Sequence, residues 1–274
     1  MIRFRFGLTP LAEVRPWGRP GHPVLHWFGL TDGWYAIDLG EHELLRYSER
    51  TVRSLRGGGD GGGVGPAHPY VDYYVVRLWE DLLALLPAAL EPVPEELADF
   101  VASDSSDWYW DETLETLEAE AEAEVETEAE TAAGWHGDRT LNTGYLRVAP
   151  YIHCWRTVAG EDVMNVSWAH PSDPEGEIEF AGPATGLVTV PTSAFVAAVT
   201  ELDRALLEAM ERRIGELEAA GPPGIELDLE QLRREHRDRA GWLERARRYA
   251  YATDWAAVRT GAAALLRSPD EDCG

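Results

Sequence analysis

No lysine occurs in this chain: all twenty-four of its basic residues are arginine. That absence removes several chemistries at once. A pyridoxal-phosphate or substrate Schiff base needs a lysine amine, a P-loop needs the lysine that reaches the phosphates, and a protein-kinase core needs its strand lysine. The heavy use of Arg, Ala, Gly, Pro and Glu fits a GC-rich genome, because lysine codons are AT-rich. Cysteine is nearly as scarce. With only Cys154 and Cys273, a disulfide framework or a cysteine-based zinc or iron–sulfur site is excluded by count. Long apolar runs are missing too: no stretch of about 18 apolar residues could span a bilayer. The opening Met1-Ile2-Arg3-Phe4-Arg5-Phe6 alternates charge with hydrophobe where a secretory signal carries a continuous apolar block. A cytoplasmic location without membrane association is expected.

Positive charge is absent from one long region. Between Leu78 and Asp138 stand nineteen acidic residues and no arginine, whereas the rest of the chain carries thirty acids against its twenty-four arginines. Most of the net charge of −25 is therefore regional. Such a field repels a phosphate backbone, so nucleic acid is not expected as a direct ligand.

At 274 residues the chain can bury one large core or two modest ones. The pattern reads as α+β: antiparallel β-meanders packed with helices, in two lobes joined by an acidic helical or disordered segment. The first unit, residues 1–103, opens with a strand whose Ile2, Phe4 and Phe6 share one face. An aromatic hairpin follows, Val24–Leu30 and Trp34–Leu39 around Thr31-Asp32-Gly33, since Asp-Gly between such runs is a strong hairpin signal. A turn at Gly40-Glu41-His42 leads to Glu43–Tyr47. Gly57–Gly65, with seven glycines in nine residues, reads as a surface loop. Apolar spacing predicts a helix over Asp72–Leu86, and Pro94 suits the start of another over Glu95–Val101.

The second unit, residues 104–134, is the acidic low-complexity segment. Glutamate at every second position from Glu118 to Glu130 places like charges at i,i+4, which opposes the helix propensity of Glu and Ala. A solvated, frayed helix or disordered spacer is expected. The third unit, residues 135–274, reads as a four-stranded sheet followed by three helices: Tyr151–Val158, Asp162–Ala169, Glu177–Ala181 and Leu187–Val190, then a helix with the stripe Phe195, Val199, Leu202, Leu206, Met210, Ile214 and Leu217. Thr192 or Ser193 is expected to cap that helix. Helices over Leu229–Tyr251 and Asp254–Arg267 complete the chain, Asp254 being the expected cap of the second.

The runs Phe6-Gly-Leu-Thr-Pro10, Pro16-Trp17-Gly18, Trp27-Phe-Gly-Leu-Thr-Asp-Gly-Trp34 and Glu43-Leu-Leu-Arg-Tyr-Ser48 resemble an uncharacterised actinobacterial domain-of-unknown-function family, as do Gly144-Tyr-Leu-Arg147 and Thr253-Asp254-Trp255. The resemblance implies a cytoplasmic bacterial protein and carries over no activity and no site residue. More loosely, Val163–Met210, strands followed by a helix, is similar in layout to bacterial toxin-immunity proteins, an analogy of fold alone.

No catalytic residue set and no metal or cofactor site is expected. His22 and His26 are four apart but sit among Pro20 and Pro23, which argue against a shared helix. His153 and Cys154 are adjacent in a strand and point to opposite faces. Asp104, Asp107, Asp111 and Glu112 lack the order and central glycine of an EF-hand. The eleven tryptophans are the stronger signal. Trp27, Asp32, Trp34 and Tyr35 in the hairpin, and Trp108, Tyr109 and Trp110 beside the acidic run, are candidate partner-binding residues, since exposed rings next to charge make hot spots. Arg233, Arg234, Arg237, Arg245 and Arg248 form a candidate basic patch. These features point to a non-enzymatic protein-binding protein with a basic protein partner, a toxin-neutralising immunity protein being its most concrete version. The rival is a small-molecule binder or enzyme of specialised metabolism with a pocket between sheet and helices.

Overall fold

The computed structural model describes residues 1–19, 22–57, 68–110, 119–221, 225 and 227–267; the Gly-rich stretch from Gly58 on and residues 111–118 lie outside the described residues. The fold is α+β, with antiparallel sheets and helices. Strand β1 (Ile2–Leu8) buries Ile2 and Phe4 and exposes Arg3, as its alternation predicts. Short strands β2 (Trp17–Arg19) and β3 (His22–Val24) pair with each other. Strand β4 (Gly33–Leu39) is the centre of the first sheet, paired with β1 on one side and with β5 (His42–Leu44) and β6 (Val71–Asp72) on the other. Flanked on both edges, β4 buries Tyr35, Ala36, Ile37 and Leu39.

The Asp-Gly hairpin does not form. Residues 29–31 make a 3-10 turn with Leu30 and Thr31 fully buried, and β4 pairs with β1, remote in sequence. Gly33 serves a different purpose from the one its sequence context indicated. A Cβ there would lie 2.2 Å from the Gly7 carbonyl oxygen, so glycine permits close approach of β1 and β4. The turn at Gly40 is present, its φ of +65° in the left-handed region.

Helix α1 (Glu49–Gly57) precedes β6, and α2 (Val75–Leu90) follows it, burying Val75, Leu78, Trp79, Leu82 and Leu86 at the predicted spacing. A 3-10 turn at Glu95–Leu97 leads into α3 (Ala98–Ala102), with Pro94 at the cap. Helix α4 (Ala119–Gly137) is the acidic run. From Ala129 onward it is docked: within the run expected to be solvated, Ala129 is buried, and Ala132 and Trp135 just beyond it are buried too.

Strands β7 (Tyr151–Thr157), β8 (Val163–Ala169) and β9 (Thr185–Pro191) form the second sheet. The expected strand at Glu177–Ala181 is reduced to a bridge between Tyr47 and Phe180. The Asp173 carboxylate accepts the N–H groups of Glu175, Glu177 and Ile178, diverting donors that a ladder would use. Ser48 N–H and Ala181 N–H instead bond Glu179 and Arg46 carbonyls, clipping this segment to the first sheet.

Helix α5 (Thr192–Ala219) buries its whole predicted stripe. Its cap position is Pro191, and the Thr192 hydroxyl donates to Asp162 at 2.7 Å. The next expected helix is broken into α6 (Leu229–Arg239) and α7 (Trp242–Arg248). The break turns Trp242 back onto Trp79, ring centroids 5.4 Å apart, with its indole N–H donating to Asp238. Helix α8 (Trp255–Leu265) is capped by Asp254, which accepts from Ala256 N–H and Ala257 N–H.

Among the described residues, two hydrophobic clusters result. The larger joins the first sheet, α2, the second sheet, α5, α6 and α7, so it draws on residues from Ile2 to Leu243. The smaller gathers α3, α4 and α8 around Phe100, Trp135 and Trp155. Among the described residues, no helix is long and apolar enough to cross a membrane.

Candidate functional site

An open cleft of about 740 Å³ lies between β1 and α5. Its floor is the strand from Arg3 to Leu8, and residues of both parities line it. A cleft touching every residue in turn must run along the strand's edge, and β1 is an edge strand of its sheet. The helix wall presents Leu202, Ala205 and Ala209, one face at i, i+3 and i+7. The two alanines leave the space that larger side chains would fill.

Trp34 reaches this cleft across Gly7. In the register Gly7 lies opposite Trp34, and a Cβ on Gly7 would fall 2.4 Å from the indole Nε1. Glycine therefore lets the ring lie over the strand. Behind it the ring stacks on Tyr70 at 4.8 Å and meets the tilted His68 ring at 5.3 Å. Tyr70 also accepts from Arg5 at 3.1 Å, and Arg5 forms ion pairs with Asp38 and Glu43 at 2.7 and 2.6 Å. Burial pulls the Arg5 pKa down, but bonds to Asp38 and Tyr70 more than offset it and the net shift is upward. At the far end the nearly buried Arg213 donates to the Leu30 and Thr9 carbonyls, closing the end of the cleft.

The other candidate residues are dispersed. Trp27 is fully buried, its ring 6.3 Å from Trp79, with the Arg239 guanidinium 4.3 Å above it. Asp32 ends the 3-10 turn and accepts from Thr9 N–H. Tyr35 is buried on the opposite face of β4 from Trp34 and meets Tyr145 at 3.3 Å. Burial raises the pKa of both phenols. Trp108 stacks on Phe100 at 5.1 Å and donates to Ser103 at 2.8 Å, whereas Tyr109 and Trp110 are 36% and 48% exposed. The arginines of the basic patch are mostly answered within the chain. Arg233 bonds Glu211 and Glu218, Arg234 pairs with Glu230, Arg245 with Asp238 and Arg248 with Glu244, while Arg237 is exposed. Trp34 alone of the candidate residues lines the cleft. Gly7, Ala205 and Ala209 were not singled out, since small residues look like packing in a sequence; the Phe6-Gly7-Leu8 run was the available signal.

A second cluster of unusual groups lies elsewhere. His136 and His153 stack with ring centroids 4.2 Å apart. Burial, with Arg139 adding to it, lowers His136 to about 4, and burial with the neighbouring His136 and Arg139 lowers His153 well below the ordinary value. Arg139 is fully buried, held by Glu91 at 2.8 Å and lying 3.9 Å over the Trp135 ring. Thr253 donates to the same Glu91 at 2.7 Å. Burial pushes the Cys154 thiol up to about 12, an inert state at neutral pH. Among the described residues, no group of three or more His, Cys, Asp or Glu is arranged to hold a metal ion.

No curated protein and no solved structure matches the chain. Residues 3–261 match the model of a family of unknown function, DUF5984, and the chain belongs to that family.

Proposed function

We propose that this chain is a cytoplasmic protein-binding protein and that the β1–α5 cleft receives the partner. The observation that carries this reading is the cleft itself, an open trough along a sheet edge with Trp34 laid across it. Partner recognition at a sheet edge uses main-chain groups for affinity and alternate side-chain pockets for specificity. The groups whose protonation is moved into the middle range, His136 at about 4 and Asp81 at about 6, lie outside the cleft lining, which favours binding over acid–base chemistry there. The acidic field of the chain attracts a basic protein at long range, and neutralisation of a bacterial toxin is the concrete version of this reading.

The second reading is a small-molecule site, favoured by the cleft's volume of about 740 Å³, within the range of ligand pockets. A photo-crosslinking residue at Ala205 distinguishes the two. Irradiation in native lysate is expected to yield a covalent polypeptide adduct, with none from the same residue at exposed Tyr249. A small-molecule adduct at Ala205 in place of a polypeptide would support the second reading.

A further inference from the structure

The pairing of β1 with β4 determines which backbone groups face the cleft. Thr9 N–H donates to the Asp32 carbonyl and Gly40 N–H to the Met1 carbonyl, bracketing a ladder that runs from Ile2 opposite Leu39 to Leu8 opposite Gly33. In an antiparallel ladder hydrogen-bonded and non-hydrogen-bonded pairs alternate. The odd residues Arg3, Arg5 and Gly7 therefore bond β4. The N–H and C=O groups of Phe4, Phe6 and Leu8 point the other way, toward the cleft, and no bond to another described residue engages them.

We propose that β1 is a receiving edge, and that the cleft binds an extended, uncharged segment of a partner protein as an added strand with apolar residues at alternate positions. This inference rests on the protein-binding reading of the cleft and names what binds. Space supports it. A strand occupies about 4.8 Å by about 10 Å in section, so about 740 Å³ accommodates about 15 Å of strand, or about four to five residues at about 3.3 Å each. The side chains of the cleft alternate to match. Inward positions of the guest meet Phe4, Phe6 and Leu8 below and Leu202, Ala205 and Ala209 on the helix, whereas outward positions lie beside Arg3 and the Trp34 ring.

The charge balance argues for an uncharged guest. Arg5 is engaged by Asp38 and Glu43, and Arg204 holds both Glu201 and Glu208 at 2.6 Å. Arg213 is turned into backbone carbonyls, and Arg212 and Glu216, one turn apart, are of opposite sign. No block of one sign is left facing the gap. A second copy of β1 paired about Phe4 fits poorly, because that register would set Arg3 opposite Arg5 twice, and like charges directly opposite destabilise a ladder.

Amide hydrogen exchange of the full isotopically labelled chain tests the edge. In the free protein Arg5 and Gly7 amides are expected to be protected and those of Phe4, Phe6 and Leu8 to exchange freely. Protection of all five would overturn the proposal, since the edge would then be covered. A dimer mass in light scattering would also overturn it, the second copy being the occupant. Peptides selected on the chain from a displayed random library are expected to carry apolar residues at every second position and to protect Phe4, Phe6 and Leu8 on binding. N-methylation of their amides at one parity is expected to weaken binding at least tenfold, with the other parity tolerated. Ala205→Arg, which fills the cleft from a half-buried helix position, is expected to weaken the same peptides at least tenfold while keeping the melting temperature. A polypeptide cross-linked at Ala205 without new protection along β1 would leave the protein-binding reading standing and refute strand addition.

Discussion

The two hydrophobic clusters are stabilised in different ways. The large one is mostly aliphatic and periodic, with the α5 stripe and the α2 stripe closing over alternating strand residues and a few rings such as Phe4, Trp79 and Phe195 set among them. The small one packs rings, alanines and buried polar groups: Phe100, Trp135, Ala132, the His136–His153 stack and the Arg139–Glu91 pair. The first depends on apolar area removed from water. The second adds groups that are costly to bury unless each has its partner, so it should be the more sensitive to charge and pH.

Breaking a buried ion pair gives the largest expected effect. Arg139→Ala leaves the Glu91 carboxylate largely buried without its cation, and a loss of about 3–5 kcal/mol is expected in urea unfolding. The double variant Arg139→Met with Glu91→Gln should recover part of that loss, because no uncompensated charge remains. Equal losses in the single and double variants would mean that the arginine acts through its stacking on Trp135 alone. Phe195→Ala, in the large cluster against Phe4, is expected to cost a similar amount through a cavity.

The clusters should also separate by pH. An unfolded histidine protonates near pH 6.5, whereas burial holds folded His136 neutral down to about 4. Between those values the unfolded chain binds the extra proton, so the stability present at pH 7 is lost as pH falls. For His136 alone the loss approaches about 3 kcal/mol by pH 4. His153, lowered further, steepens the fall. Stability measured from pH 7.5 to 4.5 should drop steeply in the native chain and less in His136→Phe. An unchanged slope in that variant would place the acid sensitivity in other groups.

The same contrast explains what was legible in the sequence. Helices α2 and α5 announced themselves because Leu, Val and Phe recur at three- and four-residue spacing, and Asp254 announced its cap. Helix α4 was hidden, since its docking residues Ala129 and Ala132 are indistinguishable from the neighbouring Ala-Glu repeat. Its partner is equally plain: a Cβ on Gly261 of α8 would lie 2.0 Å from the Glu128 carbonyl oxygen. The Asp32-Gly33 hairpin misled because local turn chemistry competes with a distant strand. The cleft followed the same logic. Trp34 was visible as an aromatic beside charge, but Gly7, Ala205 and Ala209 contribute by being small.

Gly261 makes that hidden contact testable. Gly261→Ala should push α8 from α4 and cost about 1–3 kcal/mol, the range for overpacking a close contact. Exchange of α4 amides after Ala129 should accelerate while β7–β9 amides stay protected. Uniform acceleration across both sheets would show that the two clusters unfold as one unit. A deletion reaching Thr131 removes the buried Ala129 and should lower the cooperativity of unfolding.

The smallest effects separate arginines that share the α6–α7 region. Arg234 and Arg248 each make one i,i+4 pair on an exposed helix face, with Glu230 and Glu244. Such pairs contribute at most about 0.5 kcal/mol, so Arg234→Gln and Arg248→Gln should leave the melting temperature nearly unchanged. Arg233 differs in geometry. Its Nε and NH2 bond both Glu218 oxygens at 2.7 and 2.6 Å while NH1 takes Glu211, so one planar guanidinium ties α6 to two turns of α5. A lysine cannot reproduce that fork. Arg233→Lys should therefore lower the melting temperature more than either glutamine variant, and the difference should shrink as salt rises and screens the pairs. If all three variants melt alike, the fork is a surface arrangement with no share in holding α6 on α5, and the burial of Leu232 in the large cluster carries that attachment.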